Sequence, residues 1–263
     1  MNLLAIQSNS NPIVRQLRSL HQRKARQHSG MFLAEGPKIV EEALRSGETL
    51  LHVLLREEDR EAFSPLLQRI QQEQPAALCY VVNDKVLHAV SDAQTPQGIV
   101  AAIALPPQQQ ALPGAGFGLY LDALQDPGNV GAMLRSADAL GVDWLLLGGA
   151  CADPYAPKTI RAAMGSTFHL PIYQHADGCA ALRALADQGY LLLAADLHGA
   201  SSLPPTLPGR TLLMIGNEGR GLSAEALALA DLRYRLPMKG RAESLNAAAC
   251  AAILLYECAL RLE

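Results

Sequence analysis

The sequence predicts an α/β protein with a mostly parallel sheet, preceded by a small α/β domain. From Gly118 onward, short apolar runs alternate steadily with helical patterns, which implies parallel strands covered on both faces. Before residue 104 a shorter series of the same elements makes a unit the size of one small domain. Between them, Ala104–Phe117 (ALPPQQQALPGAGF) mixes proline, glutamine and glycine without periodicity and reads as a linker. The expected organisation is therefore a first domain over 1–103, a linker over 104–117 and a second domain over 118–263.

In the first domain, Ile13–Gln27 predicts one helix, with Ile13, Val14, Leu17 and Leu20 as its apolar stripe. Gly30 stops it. Met31–Glu35 predicts a strand, and Gly36-Pro37 opens a helix running through Leu44. Leu50–Leu55 alternates too little for an edge strand and suits a buried one. Glu58–Gln74 predicts a helix, Ala77–Val82 a strand, Asn83–Ala89 a helix capped by its asparagine, and Ile99–Ile103 a strand. In the second domain the expected strands are Leu119–Leu124, Trp144–Leu147, Phe168–Ile172, Tyr190–Ala195, Thr211–Ile215 and Leu232–Leu236. The expected helices are Asn129–Leu140, Pro157–Met164, Cys179–Gln188, Ala224–Leu229 and Leu245–Leu260.

Composition narrows the function classes. Apolar residues make up 49% of the chain, enough for a sizeable core, yet no uninterrupted apolar run reaches the ~18–20 residues of a membrane span. Met1–Asn11 lacks the pattern of a signal peptide, so a cytoplasmic protein with no membrane partner is expected. The five cysteines are scattered and never spaced C-x-x-C, and H-E-x-x-H is absent; neither a disulfide framework nor a metal site is expected. Net charge is −3, which argues against a chain coated for nucleic acid. Its distribution is uneven, however. Arg15, Arg18, Arg23, Lys24 and Arg26 fall in one short segment, which fits a phosphate backbone and equally a solvated helix face.

Three loops at strand ends are polar and glycine-rich, where ligands of open parallel sheets collect. Asp126-Pro127-Gly128-Asn129-Val130-Gly131-Ala132-Met133-Leu134-Arg135 enters a helix whose first N–H groups are free. Arg135, in an otherwise apolar run, calls for a partner: a phosphate fits its fork, and a buried aspartate fits as well. Gly216-Asn217-Glu218-Gly219-Arg220-Gly221-Leu222-Ser223 has glycines that permit close approach of a backbone. It lacks the lysine of a phosphate-cradling loop, and a turn leading into a helix capped by Ser223 also fits. Leu236-Pro237-Met238-Lys239-Gly240-Arg241-Ala242-Glu243-Ser244-Leu245-Asn246 joins a strand to the last helix and exposes main-chain N–H and C=O groups able to grip a small polar ligand. Read alone, it is also an ordinary connection with Ser244 as N-cap. No G-x-G-x-x-G follows a strand, as a doubly wound dinucleotide enzyme requires, and no G-x-S-x-G signals a serine nucleophile.

Taken together, the three loops resemble the SpoU (TrmH-like) family of the SPOUT superfamily, RNA 2′-O-methyltransferases that use S-adenosylmethionine. Asp126–Arg135 with Ser136-Ala137-Asp138 is similar to the family's first motif, Ile215–Gly221 to its second, and Leu236–Asn246 with Ala247–Glu257 to its third. Arg161–Ser166 before His169-Leu170-Pro171, and Thr95-Pro96-Gln97-Gly98, resemble further recurrent segments. One departure is Ala247-Ala248-Ala249, where bulkier or hydroxylated residues are common.

The resemblance implies a trefoil-knotted catalytic domain, a homodimer, S-adenosylmethionine as cofactor, and a small N-terminal domain that binds RNA, ribosomal RNA before transfer RNA. It implies Arg135, Asn129, Glu218, Ser244 and Asn246 as catalytic positions. Ile215, Gly216, Asn217, Gly219, Leu236, Met238, Ser244 and Leu245 would hold the cofactor, and Arg15, Arg18, Arg23, Lys24 and Arg26 the RNA. A silent knotted RNA-binding protein is the rival, and the intact Asn129, Arg135, Glu218 and Asn246 argue against it. Arginine is a cation throughout the ordinary pH range, so Arg135 is expected to bind the target phosphate and steady developing alkoxide charge.

Overall fold

The computed structural model describes residues 3–109, 111–240 and 245–263. The chain gathers into two compact units, Met1–Pro107 with Asp153–Phe168, and Gln108–Ala152 with His169–Glu263.

The first unit holds β1 (Leu4–Ile6), β2 (Met31–Glu35), β3 (Leu50–Arg56), β4 (Leu78–Val82) and β5 (Ile99–Ala104), in the sheet order β1-β4-β3-β5-β2. β4 runs parallel to β1 and β3, while β5 runs antiparallel to β2 and β3. Both faces are covered, so the strands carry apolar residues in both registers. Phe32, Val53, Leu55, Ile99 and Ala101 enter one core, while Met31, Leu33, Leu54, Val100 and Ala102 enter the other. Period-two geometry divides a continuous apolar run in this way. The helices are α1 (Pro12–Ser19), α2 (Arg23–Ser29), α3 (Pro37–Arg45), α4 (Ser64–Glu73), α5 (Asp84–Val90) and α7 (Pro157–Ala163). α7 belongs here because Ile160 completes the first core and Tyr155 packs on Phe32, ring centroids 5.1 Å apart.

The single helix expected over Ile13–Gln27 is two, and Arg26 explains how the break is tolerated. α1 stops at Ser19, leaving carbonyls at Leu20 and His21 without helical partners. The Arg26 Nη1 donates to both, at 2.7 and 3.0 Å, while Nη2 and Nε donate to Asp153 Oδ2 at 2.6 and 3.2 Å. Arg26 is only 3% exposed. Its expected place among the RNA-binding residues is therefore corrected: the guanidinium is fully engaged inside the protein. Over Glu58–Gln74 the regular helix begins only at Ser64, because Pro65 supplies no N–H and suits the first turn of a new helix. β1, three residues long, gave too short a pattern to be read from sequence.

The second unit contains β6 (Gly118–Leu121), β7 (Trp144–Leu147), β8 (Ile172–Gln174), β9 (Leu191–Ala200), β10 (Thr211–Ile215) and β11 (Leu232–Tyr234), in the order β11-β9-β10-β6-β7-β8. Every pairing is parallel, so all carboxyl ends lie along one edge. Its helices are α6 (Pro127–Ala139), α8 (Gly178–Asp187), α9 (Ala224–Leu229) and α10 (Ala247–Ala259), and α10 packs along α6. Trp144 fills the core at 2% exposure, edge-on to Tyr190 and Tyr173.

Several boundaries differ from expectation: β9 runs on to Ala200 past the expected Ala195, β11 stops at Tyr234 short of Leu236, and three more have a local cause. β6 ends at Leu121 because Ala123 turns left-handed, φ 53°. The strand expected over Phe168–Ile172 is a 3₁₀ turn at Ser166–Phe168 and a strand that starts only after Pro171. α10 is capped by Asn246 instead of Ser244, which lies outside the described residues.

Candidate active site

The carboxyl edge of the parallel sheet is where the three polar loops meet. After β10, Gly216 begins a loop that folds back on itself. Asn217 N–H donates to Gly221 O at 2.9 Å, and Gly221 N–H returns the bond to Asn217 O at 2.8 Å. A Cβ on Gly216 would strike the backbone of Gly221 and Leu222, while one on Gly219 would meet only Asn217 Oδ1 at 3.7 Å. The first glycine is thus needed for loop closure. Asn217 Oδ1 accepts from Gly219 N–H at 3.0 Å and Arg220 N–H at 3.2 Å, and its Nδ2 donates to Ala123 O at 2.9 Å. That bond ties the second loop to the left-handed turn after β6. Asp122 makes a second tie by accepting from Ser223 N–H at 2.9 Å.

Across this frame runs a chain of side-chain amides. Asn246 Nδ2 donates to Asn129 Oδ1 at 3.2 Å, and Asn129 Nδ2 donates to Glu218 Oε1 at 2.9 Å. Asn217 Nδ2 also reaches Glu218 Oε2, at 3.3 Å. The direction of the chain is determined by its ends. Asn246 Oδ1 accepts from Ala248 and Ala249 N–H at 2.9 and 3.3 Å, so its other terminus must be the donor. Asn129 then turns its oxygen toward Asn246 and its NH₂ toward a carboxylate. One residue from each of the three loops is thereby brought together.

Arg135 is exposed, about one and two-thirds turns beyond Asn129 on α6, and makes no ion pair with a described residue. The buried aspartate partner that its sequence context allowed is therefore absent among the described residues. Ser244 falls outside them. Of the expected cofactor positions, Ile215 is buried at the end of β10, and Leu236 is half-buried. Met238 and Leu245 are large apolar side chains left 38% and 41% exposed. The main chain of Leu236 and of Met238–Gly240 makes no hydrogen bond to a described residue. Apolar lips beside main-chain N–H and C=O groups with no partner among the described residues fit a ligand with a flat heterocycle and a polar amino-acid tail, as S-adenosylmethionine has.

Several neighbours were not singled out by sequence. Asp122 and Ala123 brace the first two loops, and the only available signal was an acid directly after an apolar strand. Cys151, at the end of the next strand's loop, donates to Leu121 O at 3.2 Å. Burial pushes its thiol up to about 11, so it stays protonated near neutral pH and offers no thiolate. Among the described residues, no three His, Cys, Asp or Glu side chains are grouped to hold a metal, and no helix is long and apolar enough to cross a membrane. A separate depression lined by Phe117, Asp143, Gly189 and Arg210 lies at the opposite, amino-terminal ends of the strands. In the first unit Arg15, Arg18, Arg23 and Lys24 are exposed, with Arg23 Nε 3.9 Å from Asp153.

Comparison with known proteins agrees with this geometry. The SpoU rRNA Methylase family model matches residues 116–256, and the MRM3-like substrate binding domain matches residues 11–101. A Bacillus subtilis 23S rRNA (guanosine(2553)-2′-O)-methyltransferase is 36% identical over 252 residues, covering 95% of this chain and 97% of that protein. A Streptomyces viridochromogenes 23S rRNA (uridine(2479)-2′-O)-methyltransferase is 35% identical, covering 90% of this chain and 85% of that one. The crystal structure of an AdoMet-bound rRNA methyltransferase from Sinorhizobium meliloti superposes with a TM-score of 0.86 at 31% identity, covering 97% of each chain. With its three polar loops assembled at one edge and its relatives matched over most of their length, the chain belongs to the SpoU rRNA methylase family.

Proposed function

We propose that this protein transfers the methyl group of S-adenosylmethionine to a ribose 2′-hydroxyl of ribosomal RNA. The observation that carries this is the amide chain from Asn246 through Asn129 to Glu218, which binds the three motif loops into one rigid edge. Ribosomal RNA is favoured because the family model and both relatives are named for it. Those relatives differ in the nucleoside named, guanosine in one and uridine in the other, so the base is left to the accessory domain and its RNA.

Bound S-adenosylmethionine would supply an electrophilic sulfonium methyl. The chain's own residues have to hold it, align the ribose and help the hydroxyl lose its proton. Leu236, Met238 and Leu245 offer apolar contacts and free main-chain groups, with Ile215, Gly216, Asn217 and Gly219 forming the facing wall. Asn129 and Asn246 have hydrogen-bonding capacity beyond the bonds they make, since each amide nitrogen carries two hydrogens. Glu218, held on both oxygens, fixes Asn129. Arg135 brings a positive charge with no ion-pair partner among the described residues, which binds the target phosphate and steadies the charge growing on the 2′-oxygen. Ser244, outside the described residues, is retained as a further catalytic position on the family resemblance alone.

Residues 1–103 act as the RNA-binding domain, through exposed Arg15, Arg18, Arg23 and Lys24. Residues 104–117 link it to the methyltransferase domain over 118–263, of which Asp153–Phe168 pack into the first unit. A trefoil knot in this domain is proposed on the family resemblance, supported by the match to the SpoU rRNA Methylase family model. A homodimer is supported by Ile253, Tyr256 and Leu260, which form an apolar stripe along α10 and are 39%, 53% and 64% exposed. The cytoplasm is the expected compartment.

The test is transfer of tritiated methyl from S-adenosylmethionine to total RNA, followed by alkaline hydrolysis. Label in ribosomal RNA that protects one phosphodiester from cleavage is expected. Label on a base, on transfer RNA alone or on protein would overturn the assignment.

A further inference from the structure

Around the site, acids and cations are treated differently by the fold. At the carboxyl edge, Asp122, Asp126, Asp177, Asp196 and Glu218 each accept a hydrogen bond from an N–H group of the protein, at 2.9, 2.6, 2.9, 3.0 and 2.9 Å. The cations on the same loops are not so engaged. Arg135, Arg220, Arg235 and Lys239 are exposed, and none has an ion-pair partner among the described residues. A chain of net charge −3 thus presents an edge whose acids each hold an N–H group of the protein, Asp126, Asp177 and Glu218 while still exposed, and whose cations face solvent with no ion pair among the described residues. Such a rim suits a polyanion.

Arg220 is the best placed of these cations. It stands two residues beyond Glu218, so their Cα atoms are at most about 7 Å apart. Its backbone is pinned, because its N–H donates to Asn217 Oδ1 at 3.2 Å inside the loop closed between Asn217 and Gly221. The left-handed Gly221, φ 70°, turns the chain directly after it. A charged side chain on so fixed a base loses less freedom on binding than one on a mobile loop. Its neighbour across the loop, Asn217, is already committed at both ends of its amide, and the loop's acid, Glu218, is held by Asn129 and Asn217.

We propose that Arg220 grips a phosphate of the RNA strand beside the ribose that is methylated. This rests on the ribose-methylation assignment above. Arg220 is then a substrate-binding residue distinct from Arg135: it holds the strand next to the reacting nucleotide, and its loop holds Glu218.

The experiment uses the full chain and a 23S rRNA transcript. RNA affinity is measured across a salt series for the wild type, Arg220→Ala and Arg220→Lys, S-adenosylmethionine affinity is measured by calorimetry, and methyl transfer is followed in parallel. Arg220→Ala should weaken RNA binding roughly tenfold, the loss of one charge-assisted contact. It should flatten the log–log salt slope by about 1, with S-adenosylmethionine affinity unchanged. Arg220→Lys should keep the slope and most of the affinity. Unchanged affinity and slope in Arg220→Ala would overturn the proposal, as would an equal loss of S-adenosylmethionine binding, which would make the residue a loop support. Failure of Lys to restore the slope would also overturn it, by pointing to base stacking. If the wild type binds the transcript but methylates no ribose, the functional assignment falls while the binding series still decides the role of Arg220.

Discussion

Asn246 and Asn129 lie 117 residues apart, yet Asn246 Nδ2 donates to Asn129 Oδ1 at 3.2 Å while Asn246 Oδ1 caps α10. One side chain therefore joins the start of the last helix to the first turn of α6. The helix cap leaves only one terminus of that amide to face the site, and this makes the capping and the chemistry separable.

Asn246→Asp should keep the cap, since a carboxylate accepts from Ala248 and Ala249 N–H as the amide oxygen does. It cannot donate to Asn129, whose amide would have to flip and set its oxygen against Glu218. Methyl transfer should fall on the order of a hundredfold with the melting temperature unchanged. Asn246→Ala should lose activity and also about 1 kcal/mol of stability. Thermal melts beside single-turnover rates check both; an active Asp variant would dissolve the role of the Asn246–Asn129 bond.

Arg135 is exposed and unpaired among the described residues, so replacing it should leave the fold within about 0.5 kcal/mol. Arg135→Ala should nevertheless lower kcat by a factor on the order of a hundred or more. Arg135→Lys should recover little, because an ammonium does not reproduce the guanidinium fork. The measurement is kcat with saturating RNA alongside calorimetric S-adenosylmethionine affinity. Wild-type turnover in Arg135→Lys would remove this arginine from the mechanism.

The two glycines flanking Glu218 predict opposite outcomes. Gly216→Ala drives a Cβ into the Gly221–Leu222 backbone, so the loop has to reopen and S-adenosylmethionine binding should be lost. Gly219→Ala meets only Asn217 Oδ1, at an ordinary 3.7 Å, and should bind the cofactor within about threefold of wild type. Calorimetry on both variants settles it. Loss of binding in Gly219→Ala would mean that the ligand itself occupies the space above that residue.

Much of this was legible in the sequence because the parallel sheet is punctuated so regularly. Trp144–Leu147 and Thr211–Ile215 have the expected bounds, each an apolar run bounded by turn residues. The family resemblance rested on side chains, three of which, Asn129, Glu218 and Asn246, the structure joins in one hydrogen-bonded chain. What the sequence hid depends on long-range geometry. Ser244 and Asn246 are equally good caps by residue type, and α10 begins at Ala247 with Asn246 as its cap. The bend at Ala123 carries no glycine to announce it. Arg26 has the same composition signal as Arg23 and Lys24, but its partner, Asp153, lies 127 residues away.

That last difference makes the basic helices testable in two halves. Arg15→Glu, Arg18→Glu and Lys24→Glu reverse exposed charges and should weaken RNA binding with a shallower salt dependence, leaving the melting temperature in place. Arg26→Ala removes the partner of a carboxylate only 13% exposed, along with the donors to the Leu20 and His21 carbonyls. Breaking one side of so buried a pair costs about 3–5 kcal/mol, so Arg26→Ala should unfold the first unit early while the second keeps its S-adenosylmethionine affinity. Arg26→Met with Asp153→Leu should regain part of the loss, because an apolar pair leaves no buried charge alone. Denaturant melts with calorimetry on the same samples separate the two groups. A stable Arg26→Ala protein with weakened RNA binding would return Arg26 to the RNA surface.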